Sequence, residues 1–328
     1  MQNEITNHER IMVPAFQNKT VLVTGGAGMI GSHLVIRILR EGAKVIVLDD
    51  LSSGKRELLP SHPNLKFIEG DINDPVALEE SFKPNIDFVF HLAALFANQN
   101  SVENPEKDMK VNGLGTLQVL EKSRQRDVRR VVYASSSCVY PTNTEKMDES
   151  IHDSSVATPY AISKFVGERY CKYFQSHLGL PITIVRFFNG YGPHEFPGKY
   201  RNVIPNFLQR ALEGKTLTVH GDGSATRDFT YVEDAVAATC LAAVRSEAIG
   251  QTFNIGTGKE TTIKELAEKI NKLTGNTAGI EYVPVRDWDK VIRRSAEYKK
   301  ARELLGFLPR HELDQGLLKT YNWLKTTI

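Results

Sequence analysis

Residues 19–42 read KTVLVTGGAGMIGSHLVIRILREG. The first six are apolar and β-branched, the length of a buried strand, and they stop at glycine. Beyond the glycines, Leu34, Val35, Ile38 and Leu39 recur at helical spacing as far as Gly42. Strand, tight turn and helix thus frame Gly26-x-Gly28-x-x-Gly31, where backbone N–H groups and a positive helix N-terminus can approach a pyrophosphate. Gly25, Gly28, Met29, Ile30 and Gly31 are the expected cofactor contacts of this turn.

Working outward, KVIVLDD at 44–50 reads as the next buried strand, and it ends in Asp49 and Asp50 about twenty residues past the turn. A carboxylate there accepts hydrogen bonds from both hydroxyls of an adenosine ribose and repels a 2′-phosphate, which favours NAD over NADP, although Lys55 and Arg56 lie close by. Further strand runs at 65–68, 88–91, 130–134 and 182–186, with helical stretches between several of them, predict an α/β fold. Its core is a doubly wound parallel sheet of the Rossmann kind. Asp71 and Ile72 (in GDI) and Leu92, Ala93 and Ala94 (in HLAA) follow two of these strands, at the carboxyl ends where such sheets bind ligands. Asp71 is expected at adenine and the Ala93–Ala94 backbone at phosphate or ribose.

Beyond residue 186 the pattern breaks into Gly/Pro-rich loops, with a final helical segment around 296–305. Residues 1–185, together with roughly 229–254, are expected to form the NAD-binding domain. Residues 186–228 and 255–328 are expected to form a smaller, interleaved substrate lobe. Of the 328 residues 41% are hydrophobic and 24% charged, ordinary for a folded protein with a large core. The formal charge is +2 and the charges are dispersed, so the footprint of a nucleic-acid binder is missing, and Arg129–Arg130 and Lys299–Lys300 read as solvated surface. Without a bilayer-length apolar run or a secretory h-region in residues 1–17, a cytoplasmic location with no membrane partner is expected. Cys138, Cys171 and Cys240 form no paired framework, so neither a disulfide scaffold nor a structural metal is expected.

Tyr160-Ala161-Ile162-Ser163-Lys164 lies on a helical pattern that puts Tyr160 and Lys164 on one face. A nearby ammonium favours phenolate and would turn a poor base into a usable one. SSSCVY at 135–140 follows a buried strand and adds hydroxyls at a carboxyl-terminal strand end.

TGGAGMIG, LDDLSSGK, GDI, HLAA, VNGLGT, SSSCVY, YAISK, VRFFNGYGP and TRDFTYVEDA follow one another in the order seen in extended short-chain dehydrogenase/reductases. Over nearly its whole length the chain resembles their NAD-dependent nucleotide-sugar epimerase/dehydratase branch. The resemblance implies that Ser136 holds the sugar hydroxyl being oxidised and Tyr160 removes its proton. It also implies that Lys164 holds the nicotinamide ribose and tunes Tyr160, and that Asn112 supports the lysine on the cofactor side. A transient C4 ketone would result, leading either to an epimer or to a dehydratase or lyase product; a non-catalytic NAD-binding regulator is a remote third reading. Where dehydratases of the family carry Asp-Glu or Asp-Lys, this chain has Ser137 and Cys138. The segment resembles those of GDP-fucose synthases and GDP-mannose 3,5-epimerases, which implies a Cys138/His194 acid–base pair beside the ketone. Asn189, Arg227 and Arg286 match phosphate-binding residues of the family, Asp289 a ribose ligand, and Asn202-Val203 the segment that reads uracil, with Ser137 beside the sugar. Trp288 replaces the usual glycine before Asp289. A UDP-sugar substrate and a homodimer are the implied partners.

Overall fold

The computed structural model describes residues 15–96, 98–142, 146–151, 156–289 and 291–327. Most of the N-terminal stretch, where a leader would sit, therefore lies outside the described residues. Seven strands, β1 (Thr20–Thr24), β2 (Lys44–Asp49), β3 (Leu65–Glu69), β4 (Phe88–His91), β5 (Arg130–Ser136), β6 (Ile182–Phe187) and β7 (Thr252–Ile255), form one sheet in the order β7-β6-β5-β4-β1-β2-β3. Every pairing in it is parallel.

Strand side chains alternate between two cores, as a pleat of period two requires. Val21, Val23, Val45, Val47 and Phe90 bury on one face with Leu34, Val35 and Ile38 of helix α1 (Met29–Arg40). Leu22, Ile46, Val89, Val131 and Ile184 bury on the other, with residues of α2 (Pro75–Ser81), α3 (Thr116–Gln125) and α4 (Pro159–Leu178). The order reverses at β1, which pairs with β2 on one side and β4 on the other, so the loops leaving β1 and β4 part and open a crevice.

Helices α5 (Val203–Leu212), α6 (Val232–Val244), α7 (Ile263–Thr274) and α8 (Leu313–Thr327) complete the chain, with Leu217–His220 and Ile280–Val283 paired in parallel between them. The segment expected to form the last helix is helical from residue 299 to 305, its Ala301–Leu305 part as a π-helical turn, and α8 follows it. Helix α8 escaped the sequence reading because its buried stripe, Gly316, Leu317, Thr320 and Leu324, holds only two aliphatic side chains. Arg130, read as solvated, is 6% exposed, and its Nη1 donates to the carbonyls of Ala242 (3.1 Å) and Arg245 (3.0 Å) at the end of α6. A helix C-terminus leaves such carbonyls without intrahelical partners, and the buried cation satisfies them.

Beneath the crevice, Arg186 of β6 grips Glu168 of α4 through two bonds, Nε to Oε1 at 2.8 Å and Nη2 to Oε2 at 2.7 Å, both residues being buried. The Ser135 hydroxyl donates to the same carboxylate at 2.6 Å. Glu168→Ala would strand a guanidinium in the core, and its expected cost is about 3–5 kcal/mol. This would be read as a lowered denaturant midpoint, with the Glu168→Met/Arg186→Met double variant recovering most of the loss.

Candidate active site

One cleft of about 1300 Å³ runs from the β1 turn to the lobe. At its β1 end Gly28 is the N-cap of α1 and no side chain caps that helix, so its first amides are left to a ligand. A Cβ on Gly28 would meet only the Gly25 carbonyl, at 3.4 Å, so a side chain there would obstruct the cleft and not the protein. Gly25, at φ +70°, lies so close to the Ala93 backbone that a Cβ would stand 2.6 Å from its nitrogen. Asp49 is buried, and its oxygens accept from the N–H groups of Ala27 (2.8 Å) and Leu51 (2.9 Å), each keeping capacity for a further donor. Burial raises its pKa, against the pull of those two backbone bonds. Met29, Ile30, Gly31, Asp50, Asp71, Ile72, Leu92, Ala93 and Ala94 line the same stretch. An uncapped helix start, a glycine cradle and a ribose-ready carboxylate fit a dinucleotide.

Further along, α4 begins at Thr158, whose hydroxyl accepts from the Ala161 N–H at 3.3 Å, with Pro159 in the first turn. This start turns Tyr160 and Lys164 into the cleft. The Tyr160 and Ser136 side chains are neighbours lining the same part of the cleft. Lys164 Nζ donates to the Ala134 carbonyl at 2.8 Å and stands 5.9 Å from the Tyr160 ring centre. Burial brings Lys164 down to about 8, although Asp108 and Glu168 oppose it. Burial also raises Tyr160, with Cys138 adding to the rise and Ser136 working against it. The expected depression of the tyrosine by its lysine is therefore not a property of the protein alone, because the ammonium is spent on a backbone carbonyl and desolvation dominates.

The chain beyond β6 adds Asn189, Asn202, Val203, Arg227, Arg286 and Asp289 to the cleft lining, beside Ser137 on the sheet side. Asn189 has φ +26° and a buried Oδ1 without a partner. Arg227 donates to the carbonyls of Thr226 (2.8 Å) and Val291 (3.2 Å) and pairs with Asp289 at 3.6 Å. Arg286 lies over Trp288, 5.5 Å from its ring centre.

Two expectations are corrected. His194 is not in the cleft: its Nδ1 bonds the Ser32 hydroxyl at 2.8 Å and its ring packs 4.3 Å from that of His33. Burial and then His33 bring it down to about 4. Cys138 instead has Asn98 Nδ2 at 3.7 Å from its sulfur, with Ser136 and Arg294 as its other neighbours. Burial pushes the thiol up, but Arg294, Ser136 and Asn98 together outweigh it and the net shift is downward. Asn112 also stays out of the cleft, fully buried in a π-helical stretch (Met109–Gly115). Its side chain accepts from the Leu95 N–H at 2.9 Å and donates to Asp108 at 2.8 Å and to Ser163 at 3.2 Å. It braces the β4 loop against α4 and does not line the cofactor stretch.

Residues 21–256 match the model of the NAD dependent epimerase/dehydratase family. The chain belongs to that family. Its fold is similar to that of an epimerase of Methanothermobacter thermautotrophicus, with TM-score 0.92, 46% identity and coverage of 96% of this chain and 94% of that one. It is also similar to a UDP-glucose 4-epimerase of Thermotoga maritima solved with UDP-glucose, with TM-score 0.89, 36% identity and coverage of 94% and 99%. A UDP-N-acetyl-alpha-D-glucosaminuronate decarboxylase of Bacillus cytotoxicus is 35% identical over 94% of this chain and 98% of its own. The protein is thus an NAD-dependent enzyme of the nucleotide-sugar epimerase/dehydratase kind.

Three residues of this family enzyme's cleft escaped the sequence reading: Arg294, Glu195 and Asn98. Arg294 sits in a basic, polar run that looks like surface. Glu195 follows the His194 that drew attention, and Asn98 carries no motif. Glu195 is 4% exposed, its Oε1 accepts from Asn202 Nδ2 at 2.8 Å, and its Oε2 is buried without a partner. Burial lifts it from 4.5 to about 7, against the bonds from Asn202. Between those values the folded state keeps a proton that the unfolded chain has lost, so its contribution to stability falls as pH rises through that window. Glu195→Gln should match the wild type near pH 4.5 and exceed it at pH 8 by on the order of 3 kcal/mol, read from thermal unfolding at the two pH values.

Proposed function

We propose that the protein is a UDP-hexose 4-epimerase working through transient oxidation at C4. The observation that carries this reading is the Ser136–Tyr160 hydroxyl pair, backed by Lys164, in the same cleft as the dinucleotide cradle. Bound NAD supplies the oxidant that takes the C4 hydride and returns it. Ser136 orients the C4 hydroxyl. Tyr160 receives its proton as the ketone forms and gives it back once the keto sugar has turned over, so that no atom is gained or lost. Lys164, anchored on Ala134, holds positive charge close to the phenol and favours its ionised form while that proton is away. The amides at Asn202 and Val203, with Asn189 and Arg227, suit the uridine and diphosphate ends.

Elimination or C5 chemistry needs an acid and a base beside the ketone. Ser137 and Cys138 provide no carboxylate there, and His194 is engaged with Ser32, which supports the simpler exchange at C4. Incubation with UDP-glucose, UDP-N-acetylglucosamine and UDP-glucuronate in deuterated water, followed by proton NMR, is expected to give a C4 epimer without deuterium. Deuterium at C3 or C5, or a deoxy-keto product, would overturn the reading. Tyr160→Phe should lower kcat by about 10²–10⁴-fold and leave UDP affinity unchanged.

A cytoplasmic homodimer completes the proposal. On α4, Ile162 and Tyr173 are 44% and 50% exposed along one stripe, and Met109 and Leu114 lie exposed on the stretch packed against that helix. Apolar surface of this kind supports helix-to-helix pairing of two copies. Light scattering should give the mass of a dimer, and Ile162→Glu/Tyr173→Glu should give that of a monomer.

A further inference from the structure

Three guanidinium groups, two buried and one half-buried, have an answer within the protein: Arg186 has Glu168, Arg130 has two helix-end carbonyls, and the half-buried Arg227 has Asp289. Arg294 does not. It is 5% exposed and lines the cleft, yet no carboxylate among the described residues lies within ion-pair distance. Its Nη1 donates to the Ser137 hydroxyl at 3.2 Å, and Cys138 is its neighbour on the same side. The charge of Arg227 also bears on it, so the local field is doubly positive against the single carboxylate of Asp289. A buried cation in such a field needs an anion, and the cleft that Arg294 lines gives one access to it.

Position decides which anion. Arg294 stands on Ser137 and Cys138, directly after Ser136, whose side chain meets Tyr160. That is the end of the cleft where the hexose reacts, whereas the diphosphate has Asn189, Arg227 and the start of α5. We propose that the hexose itself carries the charge: the substrate is a UDP-hexuronate, its C6 carboxylate held by the Arg294 guanidinium with the Ser137 hydroxyl as a second donor. C6 is attached to C5, next to the carbon gripped by Ser136 and Tyr160, so a residue one step beyond Ser136 is suitably placed to meet it. A planar guanidinium matches a carboxylate bidentately, and burial makes the match selective over a neutral hydroxymethyl group. This inference rests on the 4-epimerase reading for the placement of the sugar.

The test is calorimetric binding of UDP, UDP-glucose and UDP-glucuronate to the NAD-loaded protein. The wild type is expected to hold UDP-glucuronate about tenfold or more tighter than UDP-glucose. Arg294→Gln should erase that preference while leaving UDP affinity unchanged, and Arg294→Lys should keep part of it. Equal wild-type affinities for the two sugars would overturn the proposal, and so would a parallel loss for all three ligands, which would put Arg294 on the diphosphate. Should Arg294→Gln fail to fold, the wild-type preference and the lysine variant decide the matter. The binding preference does not depend on turnover. An Arg294-dependent preference in a protein that forms no epimer would therefore retain the carboxylate site and discard the 4-epimerase reading.

Discussion

A carboxylate and a guanidinium, both sealed from water, meet where α4 crosses β5 and β6, and the position of every reacting group depends on that contact. Glu168 is four residues beyond Lys164 and eight beyond Tyr160, so the three share one face of α4. Fixing Glu168 to Arg186 fixes the rotation of the helix, and the Ser135 hydroxyl on the same carboxylate ties β5 to it one residue before Ser136. Gly167 allows the approach, since a Cβ there would strike the Tyr133 ring. Glycine inside a helix costs about 1 kcal/mol relative to alanine, and here close packing against β5 is the return. A buried ion pair is weak evidence for stability, because desolvation offsets most of its attraction. Its directional, bidentate geometry makes it an effective registry device.

The electrostatics of the cleft arise from burial more than from pairwise attraction. Tyr160 goes up and Lys164 comes down because each loses water, and the lysine's proton is held by a backbone carbonyl. Behind them His91 is kept neutral, brought by burial down to about 3, and links the hydroxyls of Thr24 (2.7 Å) and Thr116 (3.0 Å). A neutral histidine there adds no second charge to compete with Lys164. The protein therefore presents a protonated phenol beside a reluctant ammonium, and the polar groups of its ligands complete the field that activates the tyrosine.

The features legible in the sequence are local and periodic. The glycine turn, the apolar strands and the Tyr160–Lys164 spacing each obey a rule of a few residues, and the structure gathers them in one crevice. The same reasoning misjudges groups whose meaning is tertiary. Arg130 looks solvated until the end of α6 is seen resting on it, and Arg294 looks like surface until its run of chain is seen returning to β5. Analogy of segments pairs His194 with Cys138. The fold uses the histidine instead to join the loop after β6 to α1, through Ser32 and, by the Pro193 carbonyl, His33. Helix α8 is hidden for a different reason: a helix lying on a lobe needs only a narrow apolar stripe, and two leucines are too few to carry a period.

These features lie on the segments around the scaffold. Tyr160, Lys164 and the cradle at Gly28 sit on elements held by strand pairing and by the ion pair beneath them, so their placement is built into the scaffold. Ser137, Cys138, Asn98 and Arg294 come from a strand end, a short helix and a lobe segment, which can change without disturbing the sheet. Where a C4 ketone forms, it acidifies the neighbouring carbon, and its fate depends on the groups set around that carbon. On the proposed reading, a thiol and a guanidinium stand there in place of two carboxyl groups and suit negative charge better than the expulsion of water. On that reading, substrate choice and reaction outcome rest on the same few side chains.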